Sequence, residues 1–237
     1  MPVVVAANPK GGSGKTTLML TLALSYAALG HRVAVVDADP NQIIANWVAH
    51  RVAQGRSVPF TLAETPAESS LVRVIEDQAA RQDLVLIDLE GTASRMTSRA
   101  FARAHLVLVP LMPSAMDAGL AGQAVELIRE EGEALQREIP FRLVISRAPA
   151  AVATRSLTRI LAGIGEAGLP LLGQELRERA AFREIFEFGA TFEELRGQTS
   201  NLDAAISNAH AVAEAVAQTL VELYPGDDRS SGEGEAA

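Results

Sequence analysis

A short apolar run, Val3 to Ala7, passes directly into Asn8-Pro9-Lys10-Gly11-Gly12-Ser13-Gly14-Lys15-Thr16-Thr17 and then into a helical pattern. Glycines at 11, 12 and 14 let the backbone turn with its N–H groups facing inward, and the start of the following helix adds partial positive charge. Lys15 is placed to reach β- and γ-phosphates, and the Thr16 hydroxyl to hold Mg²⁺. Strand, glycine-rich loop, Lys-Thr and helix in that order predict a cradle for a nucleoside triphosphate inside an α/β fold. The simple form of the loop carries Gly where this chain has Pro9, so the loop is a variant. What the variant adds is Lys10.

Composition sharpens that point. Of 21 basic residues, Lys10 and Lys15 are the only lysines, the other 19 being arginines. A retained Lys fits a position that needs a compact ammonium rather than a planar fork. Chance placement is the competing reading, and the loop around the two residues has to decide.

The rest of the chain repeats the strand–helix alternation. Continuous apolar runs predict strands at Val3 to Ala7, Arg32 to Asp37, Asp83 to Asp88, His105 to Leu111 and Phe141 to Ser146. Helical patterns cover Lys15 to Leu29, Asn41 to Ala53, Ser69 to Ala80, Ser94 to Ala104, Ala118 to Gln136, Thr154 to Ala162 and Asn201 to Tyr224. Strands apolar on both faces imply a mostly parallel sheet covered by helices on both sides. No linker divides the chain, so residues 1–224 read as a single domain and 225–237 as a disordered acidic tail. Hydrophobic content of 48% and charged content of 21% fit a globular chain, and the absence of Cys removes disulfides, thiolate metal sites and cysteine nucleophiles. The apolar helix Thr17 to Leu29 is too short to span a bilayer and no leader pattern precedes the first strand, which points to the cytoplasm.

Two acidic sites stand at predicted strand ends, where open α/β sheets place ligands. Asp37-Ala38-Asp39-Pro40 ends the second strand, and Leu84-Val85-Leu86-Ile87 runs into Asp88. A cation bridging phosphates needs carboxylates there, directly or through water. Asp37 and Asp39 also read as helix caps ahead of Pro40, and the two readings are compatible.

Together, Lys-Gly-Gly-Ser-Gly-Lys-Thr-Thr at 10–17, Asp-Ala-Asp-Pro at 37–40 and the apolar run into Asp88 resemble the ParA/MinD superfamily of deviant Walker ATPases, closest to small plasmid-partition ParA-type proteins. The likeness covers about 3–224, including Leu111-Met112-Pro113-Ser114 with Asp117; the chain departs at Asn41, where Gln is common, and at Leu89-Glu90-Gly91. The resemblance implies a P-loop ATPase that hydrolyses ATP slowly with Mg²⁺. ATP would be held by Lys10, Gly11, Gly12, Ser13, Gly14, Lys15, Thr16 and Thr17. Lys10 would cross an ATP-bound homodimer to the partner's phosphates, and Asp39 would position or activate the attacking water. Thr16, Asp39 and Asp88 would serve the metal. It further implies non-specific DNA binding, nucleoid association when ATP-bound, and a ParB-like or other adaptor that stimulates hydrolysis and links a plasmid, conjugation complex or protein cluster.

The lack of Cys argues against the branches whose functions depend on thiolates. The basic membrane-binding helix of the MinD branch has no counterpart, since 197–228 holds no Lys or Arg, so no membrane partner is expected. Residues 140–189 carry a local charge of +2 in a chain of −8 overall. Within them Arg155 and Arg159 share a helix face and Arg177, Arg179 and Arg183 cluster, a candidate row of DNA-phosphate contacts. Pairing with Glu175, Glu178, Glu184 and Glu187 is the equally weighted alternative. Arg147, just past a strand, reads as a contact to the adenine base or as a surface arginine. Two other functions remain to be weighed: a small-molecule ligase of the dethiobiotin-synthetase type, and a nucleotide-binding scaffold without useful hydrolysis.

Overall fold

The structure, a computed structural model, describes residues 1–63, 67–91, 94–149 and 154–225. Seven strands form one parallel sheet in the order β3-β2-β4-β1-β5-β6-β7: β1 (Val3–Ala6), β2 (Val33–Ala38), β3 (Thr61–Ala63), β4 (Leu84–Leu89), β5 (Leu106–Leu111), β6 (Phe141–Ala148) and β7 (Leu176–Arg177). The four central strands β2, β4, β1 and β5 are buried along their whole length, which is why their sequences are apolar without alternation.

Among the described residues eight α-helices cover the sheet. α1 (Lys15–Ala28), α2 (Ile43–Ala53), α7 (Ala181–Glu187) and α8 (Leu202–Leu223) pack one face, in a core that includes Leu18, Leu22, Trp47, Phe182, Ile185 and Val212. α3 (Leu71–Ala79), α4 (Arg95–Phe101), α5 (Ala115–Ala134) and α6 (Arg155–Glu166) pack the other, around Leu71, Ile75, Phe101, Val125, Ile128 and Leu157. The connection leaving β1 goes to the first face, while those leaving its neighbours β4 and β5 go to the second. That divergence opens a crevice over the C-terminal end of β1, where such sheets bind ligands.

The five expected strands are present. The short edge strands β3 and β7 and the seven-residue α7 were not anticipated. α5 begins three residues before the expected Ala118, because the Ser114 hydroxyl caps it by accepting the Asp117 amide at 3.1 Å. α6 continues past Ala162 to Glu166 through Gly163 and Gly165. α8 is a packing helix, as its apolar spacing predicts, burying Ala205, Ala209, Val212 and Val216 against α1. The expected tail, from residue 226 on, lies outside the described residues. Among the described residues no helix is long and apolar enough to cross a membrane.

Candidate nucleotide site

The loop between β1 and α1 is braced from both sides. The Asn8 side-chain amide donates to the Pro110 carbonyl at 2.8 Å, and its carbonyl oxygen accepts the Lys10 N–H at 2.8 Å. On the other flank the Ser146 hydroxyl, at the end of β6, donates to the Ser13 carbonyl at 2.6 Å. Gly14 has φ 102°, and a Cβ there would come within 3.1 Å of the Ser146 side chain, so both the turn and the close approach require glycine. Gly91 is equally constrained: a Cβ would stand 2.8 Å from the Pro9 carbonyl oxygen. The segment after β4 therefore lies directly against the loop.

The two lysines point to different places. Lys15 is buried and its ammonium donates to the loop's own carbonyls, Asn8 at 3.0 Å and Lys10 at 3.3 Å. Burial lowers its pKa, against the opposing pull of the Asp88 and Asp39 carboxylates. Lys10 turns away and donates to both carboxylate oxygens of Asp117, each at 3.0 Å. Asp117 is itself 1% exposed, in the first turn of α5, and also accepts from the Ser114 hydroxyl.

Sheet register sets the acidic groups side by side. Asp37 in β2 pairs with Asp88 in β4. Asp37 Oδ2 accepts the Ala45 amide at 2.9 Å, so it anchors the first turn of α2; burial pushes its pKa up, against the Ala45, Asp39 and Ile44 amides. Asp39, just past the strand, accepts from the backbone and side-chain amides of Asn41, both at 2.8 Å, in a tight Asx turn. The cap reading thus belongs to Asp37, and Asp39 is left facing the cleft. Asp88 is fully buried, and neither carboxylate oxygen finds a well-aligned hydrogen bond. Burial raises its pKa to about 7, with the nearby Thr16 hydroxyl pulling the other way. A buried carboxylate with no well-aligned hydrogen bond, beside Thr16 and Lys15, fits a cation or its water shell. Among the described residues no three acidic or imidazole side chains converge as a metal cage, so a metal here would take most of its ligands from phosphate and water.

Of these groups Lys15, Thr16 and Asp39 line a cleft of about 490 Å³, together with Gly12, Asn41 and Arg147, while Asp37 and Asp88 are buried behind it. Lys10 is not on its walls. A smaller cavity of about 130 Å³ adjoins it beyond Gly14 and Thr17, walled by Ser146, Arg147, Arg177, Arg179, Phe182 and Arg183. Arg147, at φ 49°, belongs to both. The arginines grouped by sequence fall in two places. Arg177, Arg179 and Arg183 surround the small cavity, with Arg183 near Glu178 at 3.9 Å. Arg155 and Arg159 are exposed one turn apart on α6, over the opposite face of the sheet and without an ion pair among the described residues. Asn8 and Ser146 as braces, and Asp117 as the partner of Lys10, carry no local sequence signature, since each bond spans more than 100 positions. Ser114-x-x-Asp117 was the one available signal, as a helix-start pattern.

A parallel sheet with this loop, carboxylates at the ends of two adjacent strands and a cleft over the loop defines a P-loop nucleotide-binding protein. The family described as VirC1 protein matches residues 1–222. The chain is 38% identical over 224 residues to the protein ParA of Rhizobium radiobacter, covering 94% of this chain and 99% of that one. It belongs to the VirC1/ParA family, within the ParA/MinD superfamily of P-loop ATPases. Its fold is shared with an ATP complex of Cyanothece McdA (TM-score 0.71, 15% identity, 92% and 96% of the two chains). It is likewise shared with the Mg-ADP complex of the septum site-determining protein MinD of Pyrococcus horikoshii (TM-score 0.68, 15% identity, 94% and 99%).

Proposed function

We propose that the protein is a ParA-type positioning ATPase that binds ATP with Mg²⁺ in this cleft, dimerises when ATP is bound, and hydrolyses it slowly until an adaptor stimulates it. The triphosphate would replace the loop carbonyls as the partner of Lys15 and accept the loop amides. Mg²⁺ would rest on the Thr16 hydroxyl with Asp88 behind its water shell. When bound, it neutralises charge on the β- and γ-phosphate oxygens. Asp39, held by Asn41, orients the attacking water, and the base enters the cavity beside Arg147. The dimer binds DNA non-specifically, and the adaptor carries the cargo.

One observation carries the reading: the lysines diverge, Lys15 into its own loop and Lys10 away from the cleft to Asp117 on α5. A lysine that does not serve its own site is available to a partner's, and ATP shared across the interface would couple nucleotide state to assembly by linkage. The 38% identity to a ParA across 94% of the chain favours this over the ligase reading. Sizing with a non-hydrolysable ATP analogue should give a dimer, and ADP a monomer, with only the dimer retained on DNA. Lys10→Arg should stay monomeric with either nucleotide. A wild-type monomer in both, or a dimer in both, would refute nucleotide-driven assembly.

A further inference from the structure

A buried polar tie outside the nucleotide cleft joins α2 to α7 and the segment that follows it. Trp47, in the second turn of α2, donates its indole N–H to the Ile185 carbonyl at 2.7 Å, and its ring stacks on Phe60 at 5.6 Å. One turn later comes Arg51, 1% exposed. Its Nη1 donates to the Gly189 carbonyl at 2.8 Å and to Glu194 at 2.6 Å, while Nε and Nη2 both reach the Ser57 carbonyl. The guanidinium carbon also lies 5.0 Å from the Trp47 ring centre. Gly189, at φ 56°, permits this approach, since a Cβ there would meet His50 Nδ1 at 2.7 Å. A buried guanidinium is costly unless every donor is used in one geometry, so the Trp47 bond to α7 and the Arg51 bonds to the segment that follows α7 together hold α2 against that part of the chain.

The ends of this tied unit reach separate compartments. The first turn of α2 hangs from Asp37, and Asp39, Asn41 and Ile43 at its approach line the phosphate cleft. The first turn of α7 contributes Phe182 and Arg183 to the cavity beside Gly14 and Arg147. Both compartments are lined by Gly14, Thr17 and Arg147, and α2 and α7 stand behind one and the other.

We propose that Trp47 and Arg51 are positioning residues that make α2 and α7 move as one body, so that a base seated in the arginine-lined cavity sets where Asp39 stands in the phosphate cleft. The proposal rests on the reading of the cleft as an ATP site. A base that favours one placement of α7 favours, through these contacts, one placement of the Asp39-Asn41 turn. With the tie loosened the base still binds, but it no longer improves the chemistry.

The test compares turnover of ATP and of ribose 5-triphosphate, which has the same phosphates and no base, at saturation. The wild type should turn ATP over about tenfold faster. Trp47→Phe keeps the stack on Phe60 and removes one hydrogen bond; it should cut that ratio about fivefold, with Arg51→Met closing it. The loss should fall on ATP turnover alone, with ATP affinity and ribose-triphosphate turnover held within about twofold. A purely structural role lowers both substrates together, and an unchanged ratio in Trp47→Phe, or a wild type that treats the substrates alike, overturns the proposal while leaving the ATP site standing. Failure of the wild type to bind ATP overturns the ATP site and the proposal with it. Should Arg51→Met not fold, Trp47→Phe decides.

Discussion

Over one face of the sheet the helices are cross-linked by buried polar bonds; over the other, among the described residues, they pack through a core of mostly aliphatic side chains around Phe101, and the polar bonds between them are part-buried. On the first, the Tyr26 hydroxyl donates to the Ala213 carbonyl at 2.6 Å, Trp47 to Ile185, and Arg51 to Gly189 and Glu194. On the second, α4 and α5 meet through Ser98 and Glu131 at 2.6 Å, and Arg137 reaches the carbonyls ending α4. Directional bonds fix a register, whereas aliphatic contacts tolerate small slides. On the cross-linked face these bonds fix α2 against the α7 segment beside the cleft. The other face carries Asp117, which holds Lys10, and the exposed Arg155 and Arg159 of α6, which have no ion pair among the described residues.

The sharpest break in that contrast is at the seam. Lys15→Ala removes the ammonium from the loop, and ATP affinity should fall by about 100-fold or more in equilibrium binding, with the melting curve nearly unchanged. Asp39→Ala should keep ATP affinity within about threefold while turnover drops about 10²-fold and the ATP dimer accumulates on sizing. Wild-type turnover would remove Asp39 from the chemistry. Across the faces, Arg155→Glu with Arg159→Glu should weaken DNA binding about tenfold and flatten its salt dependence by about two units, leaving ATP affinity intact. Arg177→Glu with Arg183→Glu should weaken ATP binding as well. If both pairs behave alike, the two faces are not distinct in this respect.

Smaller effects grade the cross-linked face itself. Arg51→Met strips bonds from the Ser57 and Gly189 carbonyls, and denaturant unfolding should show a loss of about 2–3 kcal/mol. The Arg51 guanidinium also holds the Glu194 carboxyl at about 2, below its ordinary value. A depressed carboxyl contributes stability above its unfolded pKa and loses it as pH falls through the folded one. Wild type and Glu194→Gln should therefore differ by about 1 kcal/mol or less at neutral pH, since the side chain is 37% exposed, and their melting temperatures should converge toward pH 2.

The parts readable in the sequence were those encoded locally. The loop, β2, β4 and their terminal aspartates follow from a contiguous pattern, because a strand buried on both faces must be apolar throughout. β3 and β7 span three and two residues, too short for any period to register. Lys10 and Asp117 stand 107 positions apart and meet only because β1 and β5 are neighbours. Arg51 is charged and sits in a helix whose other basic residue, His50, faces water, so its burial has no sequence signature. The arginines of 155–183 are close in chain but not in space, because β7 intervenes and sends α7 to the opposite face from α6.

Trp47 is the only tryptophan in the chain, and there is no cysteine. Its ring is 3% exposed, pressed on Phe60 and bonded through nitrogen to α7. Indole emission responds to that bond and to water reaching the ring. The unlabelled protein therefore carries an optical gauge at the joint between its two compartments, and any thiol introduced elsewhere for a second dye would be unique.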